Sequence, residues 1–186
     1  VTGVLTTTAA TVFNGGFASN AASTITTADN TDTLSLISTD ADANDGPNLR
    51  LYRNSSSPAD SDQLANIHFA GENSASQIVS YAEIEAYAMD VTDGTEDGNL
   101  NINTMVSGTG TSRIKATIAE TVINDDSADL DFRVESNGNA NMLFVDGGTN
   151  RVGIGTSSPA SALHAKQVGN GTSSTYAATI ENPTAT

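Results

Sequence analysis

The chain of 186 residues contains no cysteine, which excludes disulfides and thiolate metal sites and leaves the redox compartment open. Basic residues are scarce: 7 Lys and Arg stand against 22 Asp and Glu, for a formal net charge of −15, and no basic cluster occurs anywhere. Phosphate binding needs a cationic footprint that releases counterions, so nucleic acid is not an expected partner. An anionic membrane surface is disfavoured on the same ground. No apolar run approaches the roughly 18 residues of a membrane span, so membrane insertion is not expected either, and nothing at the start reads as a signal peptide. Val1 and Thr186 fall in mid-pattern, and a piece of something longer is expected.

Large apolar residues are also few. Leu, Ile, Val and Phe occupy 37 of 186 positions, about 20%, close to the level at which a charged chain stays disordered. They are not scattered, however. They fall in short alternating runs between turn signals, the pattern of half-buried strands, so the missing burial is expected to come from association of several copies.

Turn dipeptides punctuate the chain at Asn14-Gly15, Asp45-Gly46, Asp93-Gly94, Asp97-Gly98, Asn137-Gly138 and Asp146-Gly147. Between them strands are expected around Leu34 and Leu36, Leu49 and Leu51, Ile67 and Phe69, and Leu100 and Ile102. Leu130, Phe132 and Val134 alternate with Asp131, Arg133 and Glu135, which predicts three apolar side chains buried on one face and three charges on the other. Residues Ile78 to Met89 contain good helix formers, so propensity alone would allow a helix. Alternation predicts a long strand instead, with Ile78, Ala82, Ile84, Ala86 and Ala88 on one face and Tyr81 and Tyr87 on the other.

An internal repeat at an offset of 110 lays Val4 to Asn14 over Ile114 to Asn124, with matches at Thr7/Thr117, Ala9/Ala119, Thr11/Thr121, Val12/Val122 and Asn14/Asn124. Self-similarity of this kind marks a modular array. Ser173 to Asn182 faintly echoes Ala22 to Asn30. The organisation read from these patterns is the end of a preceding repeat and connector over 1–27, a β-rich fibre domain over 28–124, a β-hairpin module with a glycine-rich tract over 125–165, and the start of a further repeat over 166–186.

Two stretches carry a family resemblance. Leu130 to Ala165, with its core Val152-Gly-Ile-Gly-Thr-Ser-Ser-Pro followed by Leu163-His164, resembles a module of tail-fibre and related virion proteins of marine tailed bacteriophages. Gly46 to Asn54, Ile67 to Gly71 and Asp93 to Thr104 look like the β-rich domain upstream of that module in the same fibres. Together they cover most of residues 28 to 165, and similar tracts occur in some bacterial surface proteins. The resemblance implies an intertwined homotrimeric fibre, all-β and built from repeated β-sandwich or β-prism modules. Such a fibre is an extracellular appendage of the virion that bears on other tail or fibre proteins, often with a C-terminal self-cleaving chaperone domain that is not recognisable here.

Asp40, Asp42 and Asn44 have the spacing of the first half of an EF-hand loop, but Asp45 stands where glycine is needed and Leu51 where the glutamate is needed, so a solvated acidic turn is the better account. Asp90, Asp93, Glu96 and Asp97 are explained by Asp-Gly turns. Gly153 and Gly155 are no dinucleotide fingerprint, since Ser158 occupies the third glycine position; they suit close backbone approach at a trimer axis or a tight bend. His68 and His164 have no nucleophile elbow to serve, and no carboxylate pair stands out among many. Tyr52, Tyr81, Tyr87 and Tyr176 could stack on sugars but read first as packing residues. Asn54 and Asn170 match the glycosylation acceptor pattern, which has meaning only in a secreted eukaryotic chain. The expectation is therefore a fibre shaft or connector with no catalytic residues, no cofactor and no metal; the rival readings are a host-glycan-binding segment, a bacterial adhesin, or a depolymerising spike.

Overall fold

The computed structural model describes residue 16, residues 18–43 and residues 45–166, and the fold there is all-β with no helix. It divides into two units at Arg50 and Leu51. The described part of the first unit has no strand. Leu34, Leu36 and Leu49 are exposed, so the strands expected around them do not form. Alternation supplies one apolar face, but a strand also needs a neighbouring backbone to pair with, and this stretch finds none among the described residues. Local turns serve instead, as where the Asp29 carboxylate accepts from the Thr31 amide at 3.0 Å and its hydroxyl at 2.6 Å. Those two bonds hold Asp29 below the usual carboxylate range. The repeat partner Val4 to Asn14, and the echo at Ser173 to Asn182, lie outside the described residues.

The second unit holds two sheets. The first is an antiparallel meander of β1 (Asp62–Glu72), β2 (Ile78–Asp90), β3 (Asp97–Val106), β4 (Thr109–Ala116) and β5 (Thr121–Ile123), in that spatial order. The long strand expected from Ile78 is therefore present as β2, and tertiary pairing overrides its helix-forming composition. Leu51 is 47% exposed and outside any strand. Asp97-Gly98 lies inside β3 rather than at a turn, whereas Asp93-Gly94 does turn the chain, with Gly94 at φ 89°. The tightest connection, between β3 and β4, uses Ser107 and Gly108, both at positive φ. The β1–β2 turn uses Ser76 at φ 57° and the Asn73 carboxamide, which accepts from the amides of Ala75 and Gln77.

The register places one isoleucine from every strand in a single row. Ile67 pairs with Ile84, Ile84 with Ile102, Ile102 with Ile114, and Ile114 with Ile123. Beside that row lie Ala65, Ala86, Leu100 and Ala116 on one side and Phe69, Ala82 and Thr104 on the other. Ile78 departs from the expected face. Phe69 pairs with Ala82 and Ala70 with Ser80, so Tyr81 is an extra residue in β2; alternation resumes out of phase before it and Ile78, 81% exposed, falls on the opposite side.

The second sheet comprises β6 (Phe132–Val134), β7 (Leu143–Asp146), β8 (Arg151–Ile154) and β9 (Leu163–Ala165), in chain order. Its last pair is parallel, although only residues 155–162 connect the two strands. Side chains hold that short return. Arg151 Nη1 donates to the Pro159 carbonyl at 2.9 Å, and the Ala160 amide donates to His164 Nδ1 at 3.2 Å. Phe144, 7% exposed, is the centre of this sheet's packing. Leu130 and Phe132 are half-buried but Val134 is 43% exposed, so the expected joint burial is not achieved within one chain.

The glycine-rich tract has its close approaches inside its own chain. A Cβ on Gly153 would collide with the Thr156 carbonyl, and one on Gly155, at φ 74°, would collide with the Lys166 carbonyl. A tight bend, rather than a shared axis, accounts for both. Gly153→Ala and Gly155→Ala are each expected to destabilise the second sheet by about 1–3 kcal/mol. Thermal unfolding of the two variants, with Gly138→Ala as a control at a site with open space around it, checks this.

Candidate functional site

The first sheet has two chemically opposite faces, set by alternation along β1 to β4 that extra residues at Leu64, Tyr81 and Arg113 interrupt. Opposite the isoleucine row lie Asn66, Glu85, Asn101 and Lys115 in one rank, and His68, Glu83, Asn103 and Ser112 in the next. The Glu85 carboxylate organises the first rank. It accepts from Asn103 Nδ2 at 2.8 Å, Gln63 Nε2 at 3.1 Å, Tyr87 Oη at 3.3 Å and Asn66 Nδ2 at 3.5 Å. His68 Nδ1 lies 3.0 Å from Glu83 Oε1 and 2.8 Å from Ser80 Oγ. That second contact is possible because the extra residue Tyr81 brings Ser80 round to this face.

The loop that leaves β5 closes one end of the polar face. Asp126 accepts from the Ser112 amide at 2.7 Å, and Asp125 accepts from Lys115 Nζ at 2.7 Å. The Asp125 partner raises the Lys115 ammonium above its ordinary range. Asn124 and Ser127, both at positive φ, shape the loop, and the Asn124 carboxamide bonds both polar groups of the Ala128 backbone. A cavity of about 280 Å³ forms between this loop and β3–β4, lined by Glu83, Asn101, Asn103, Ser112, Lys115, Asp125 and Asp126. A second cavity of about 440 Å³ opens where β2 parts from β3 beyond the Ala82–Thr104 pair. The two share Glu83, Asn103 and Gly110 in their walls.

Other candidate residues are placed as follows. Asp40 and Asp42 are exposed, the Asp42 amide donates to Asp40 Oδ1 at 3.3 Å, and Asn44 lies outside the described residues. Asp90 accepts from the Thr92 amide at 2.7 Å, which holds it below the usual carboxylate range, and Glu96 accepts from the Gly94 amide. These carboxylates act as turn acceptors. Among the described residues no three carboxylate or imidazole groups converge as a metal site would require. His68 and His164 lie in different sheets, the latter engaged in the β8–β9 return. Tyr87, paired with Gln63, lies on the polar side, whereas Tyr81 is the extra residue of β2 and its ring stands 3.6 Å from where a Cβ of Gly71 would lie, so the expected shared face of the two tyrosines is not kept; Tyr52 and Asn54 are exposed neighbours in the segment before β1. Tyr176 and Asn170 lie outside the described residues.

Glu83, Glu85, Asn101, Asn103, Ser112 and Lys115 were not singled out from the sequence. Their signal is present as the polar half of the alternation, in Asn99-x-Asn101-x-Asn103 and Glu83-x-Glu85. No protein-family model matches the chain, and no curated protein matches it.

Burial, then the neighbouring charge of Glu85, raises the Tyr87 phenol above its ordinary value near 10.0. A group whose pKa is raised on folding contributes stability that is complete below the unfolded value and lost as pH climbs through the folded one. Phenolate absorbance of the native protein, taken as a difference from Tyr87→Phe, is therefore expected to titrate late, and Glu85→Gln is expected to bring that titration earlier. A Tyr87 phenol that ionises at its ordinary value would show that the Glu85 cluster is not closed in solution.

Proposed function

We propose that this chain is a structural segment of a homotrimeric fibre, a shaft or connector of a phage virion that supports host attachment, and that it acts mechanically rather than catalytically. One observation carries the reading: among the described residues of the second unit, no second layer packs over the isoleucine row. Ile67, Ile114 and Ile123 remain about 40% exposed (38%, 38% and 41%), Phe69 is 54% exposed, and no side chain among the described residues is fully buried. A folded domain must offset roughly 1–2 kcal/mol of backbone entropy per ordered residue, and one uncovered layer does not do so.

Charge selects the occupant of that face. Copies of a chain carrying −15 repel one another wherever their carboxylates meet, and Glu83, Glu85, Asp125 and Asp126 all belong to the polar side. The isoleucine row and the ranks beside it carry no carboxylate, and the one charge that reaches them is Arg113, whose Nε donates to Thr104 Oγ1 at 2.8 Å; this is the side through which copies can meet. Five strands at about 4.8 Å spacing and about eight residues at 3.4 Å give a face of roughly 650 Å², close to the ~800 Å² that each partner of a stable complex contributes. At about 25 cal/mol per Å² its burial is worth on the order of 15 kcal/mol, against an association cost of roughly 4–15 kcal/mol. Three copies around one axis, each with this face inward, close a dry prism with its acidic side in water, which suits a long exposed appendage. The likeness of Leu130–Ala165 to virion fibre modules supplies the biological setting.

Sedimentation equilibrium of the full chain is expected to give three chains per particle, with a denaturation midpoint that rises with protein concentration. Ile102→Asp is expected to abolish the folded particle, because it buries an unpaired charge in each of the three copies. A folded monomer with concentration-independent stability would overturn the reading.

A further inference from the structure

Asn137 and Gly138 lie in the connection between β6 and β7, and both are exposed. We propose that this dipeptide is a self-modifying site: the Asn137 side chain converts, without an enzyme or a cofactor, through a cyclic imide to an isoaspartyl or aspartyl residue. The proposal does not depend on how copies of the chain assemble.

An asparagine holds an electrophilic carbon, Cγ, close to the backbone nitrogen of the residue that follows. The two are neighbours in one chain, so the reaction is intramolecular and closes a five-membered ring. The Gly138 nitrogen bonds to Asn137 Cγ, the Cγ–Nδ2 bond breaks, and the proton of the Gly138 amide leaves with Nδ2 as ammonia. Water then opens the imide. Addition at Cγ gives aspartate on the original backbone, whereas addition at the Asn137 backbone carbonyl gives isoaspartate, in which the chain runs through the side-chain carbons. Either product carries a carboxylate where a neutral amide stood, and nothing is oxidised or reduced.

Access to both atoms limits the step. A side chain on the following residue hinders the approach, and glycine has none. There is open space around Gly138, so nothing from elsewhere in the chain crowds the ring either. Any hydrogen bond on a reacting group must be given up first. Among the described residues neither the Asn137 carboxamide nor the Gly138 amide is engaged. The turn is closed around them instead, by the Ser136 amide on the Asn139 carbonyl at 2.8 Å and the Asn139 amide on Ser136 Oγ at 3.2 Å.

Other asparagines are held back. Asn73, followed by Ser74, has its carboxamide tied to the Ala75 and Gln77 amides and to Gln77 Oε1. Asn54, followed by Ser55, accepts from Tyr52 Oη at 3.4 Å. Asn66, Asn99, Asn101 and Asn103 sit in strands, each before a branched residue. The Asp-Gly pairs carry ionised carboxylates, which resist a nucleophile. Asn14-Gly15 and Asn170-Gly171 lie outside the described residues.

The isoaspartyl product lengthens by a methylene the span that Ser136 and Asn139 close. That span is tied to the glycine-rich bend: Asn139 Oδ1 accepts from the Asn141 amide at 2.8 Å, and the Asn141 carbonyl accepts from the Gly155 amide at 2.7 Å. Conversion therefore loosens the second sheet while it adds a negative charge to an already acidic chain.

The test is peptide mapping by mass spectrometry of the whole chain aged in mildly alkaline buffer, where the attacking amide loses its proton more readily, with isoaspartate identified by enzymatic methyl transfer. Conversion at Asn137 is expected to run at least about tenfold faster than at Asn54 or Asn73 in the folded chain, and about tenfold slower in Gly138→Ala, whose unfolding temperature matches that of the unaged chain. In urea the Asn73 turn is undone, so Asn73 is expected to speed up, while Asn137, free in both states, changes by less than about threefold. An Asn137 that stays unconverted in the folded chain, or converts no faster than Asn73, would overturn the proposal. So would an unchanged rate in Gly138→Ala, or a larger rise at Asn137 on unfolding, since the folded turn would then be shielding it.

Discussion

Everything in the first sheet depends on one constraint: an amphipathic sheet one layer thick must have its apolar face covered. The register concentrates the consequence. With Ile67, Ile84, Ile102, Ile114 and Ile123 in a single cross-strand row, the face is continuous from one edge strand to the other. Cross-strand pairs of β-branched residues stabilise the sheet laterally, by a few tenths to about 1 kcal/mol each. They do nothing to remove water from above it. That task falls to a second layer, and the alternation that made the apolar face has already spent the intervening residues on Glu85, Asn101 and Lys115.

The same constraint explains where polar chemistry accumulates. Once the isoleucine face is committed to contact, the opposite side is free to carry carboxylates and amides, and the Glu85 cluster ties four side chains from β1, β2 and β3 together. The irregularities lie on the same strands. The extra residue Tyr81 turns Ser80 and Ile78 to the polar side and lets β2 part from β3, which opens the wider cavity. A bulge is thus responsible both for the exception to the hydrophobic pattern and for the cavity.

Much of this sheet was readable from alternation alone. Strands at Ile67–Phe69, Ile78–Met89 and Leu100–Ile102 follow from period-two runs, and each is found. The face of Ile78 was not readable, because an extra residue is fixed by pairing with β1 rather than by local composition. Nor was the fate of Leu34, Leu36 and Leu49, whose alternation is as clean but which pair with nothing among the described residues. Asp97-Gly98 has turn chemistry yet continues a strand, while the sharp β3–β4 turn uses Ser107-Gly108, a pair with a weaker signal. The polar cavities were overlooked for a different reason. Apolar periodicity draws attention to the buried half of a strand, whereas Asn101, Asn103 and Ser112 meet only when three strands are set in register.

Ile67 and His68 are consecutive residues on opposite faces of the edge strand β1, and within one chain both are well exposed, at 38% for the isoleucine and 52% for the histidine side chain. Because the chain has no cysteine of its own, a thiol can be placed at either position and its reaction rate with a water-soluble maleimide measured in the folded protein. If copies of the chain cover the isoleucine face, the thiol of Ile67→Cys is protected at concentrations where the particle is assembled and that of His68→Cys reacts freely. Equal, rapid labelling of both in the folded particle would contradict the account.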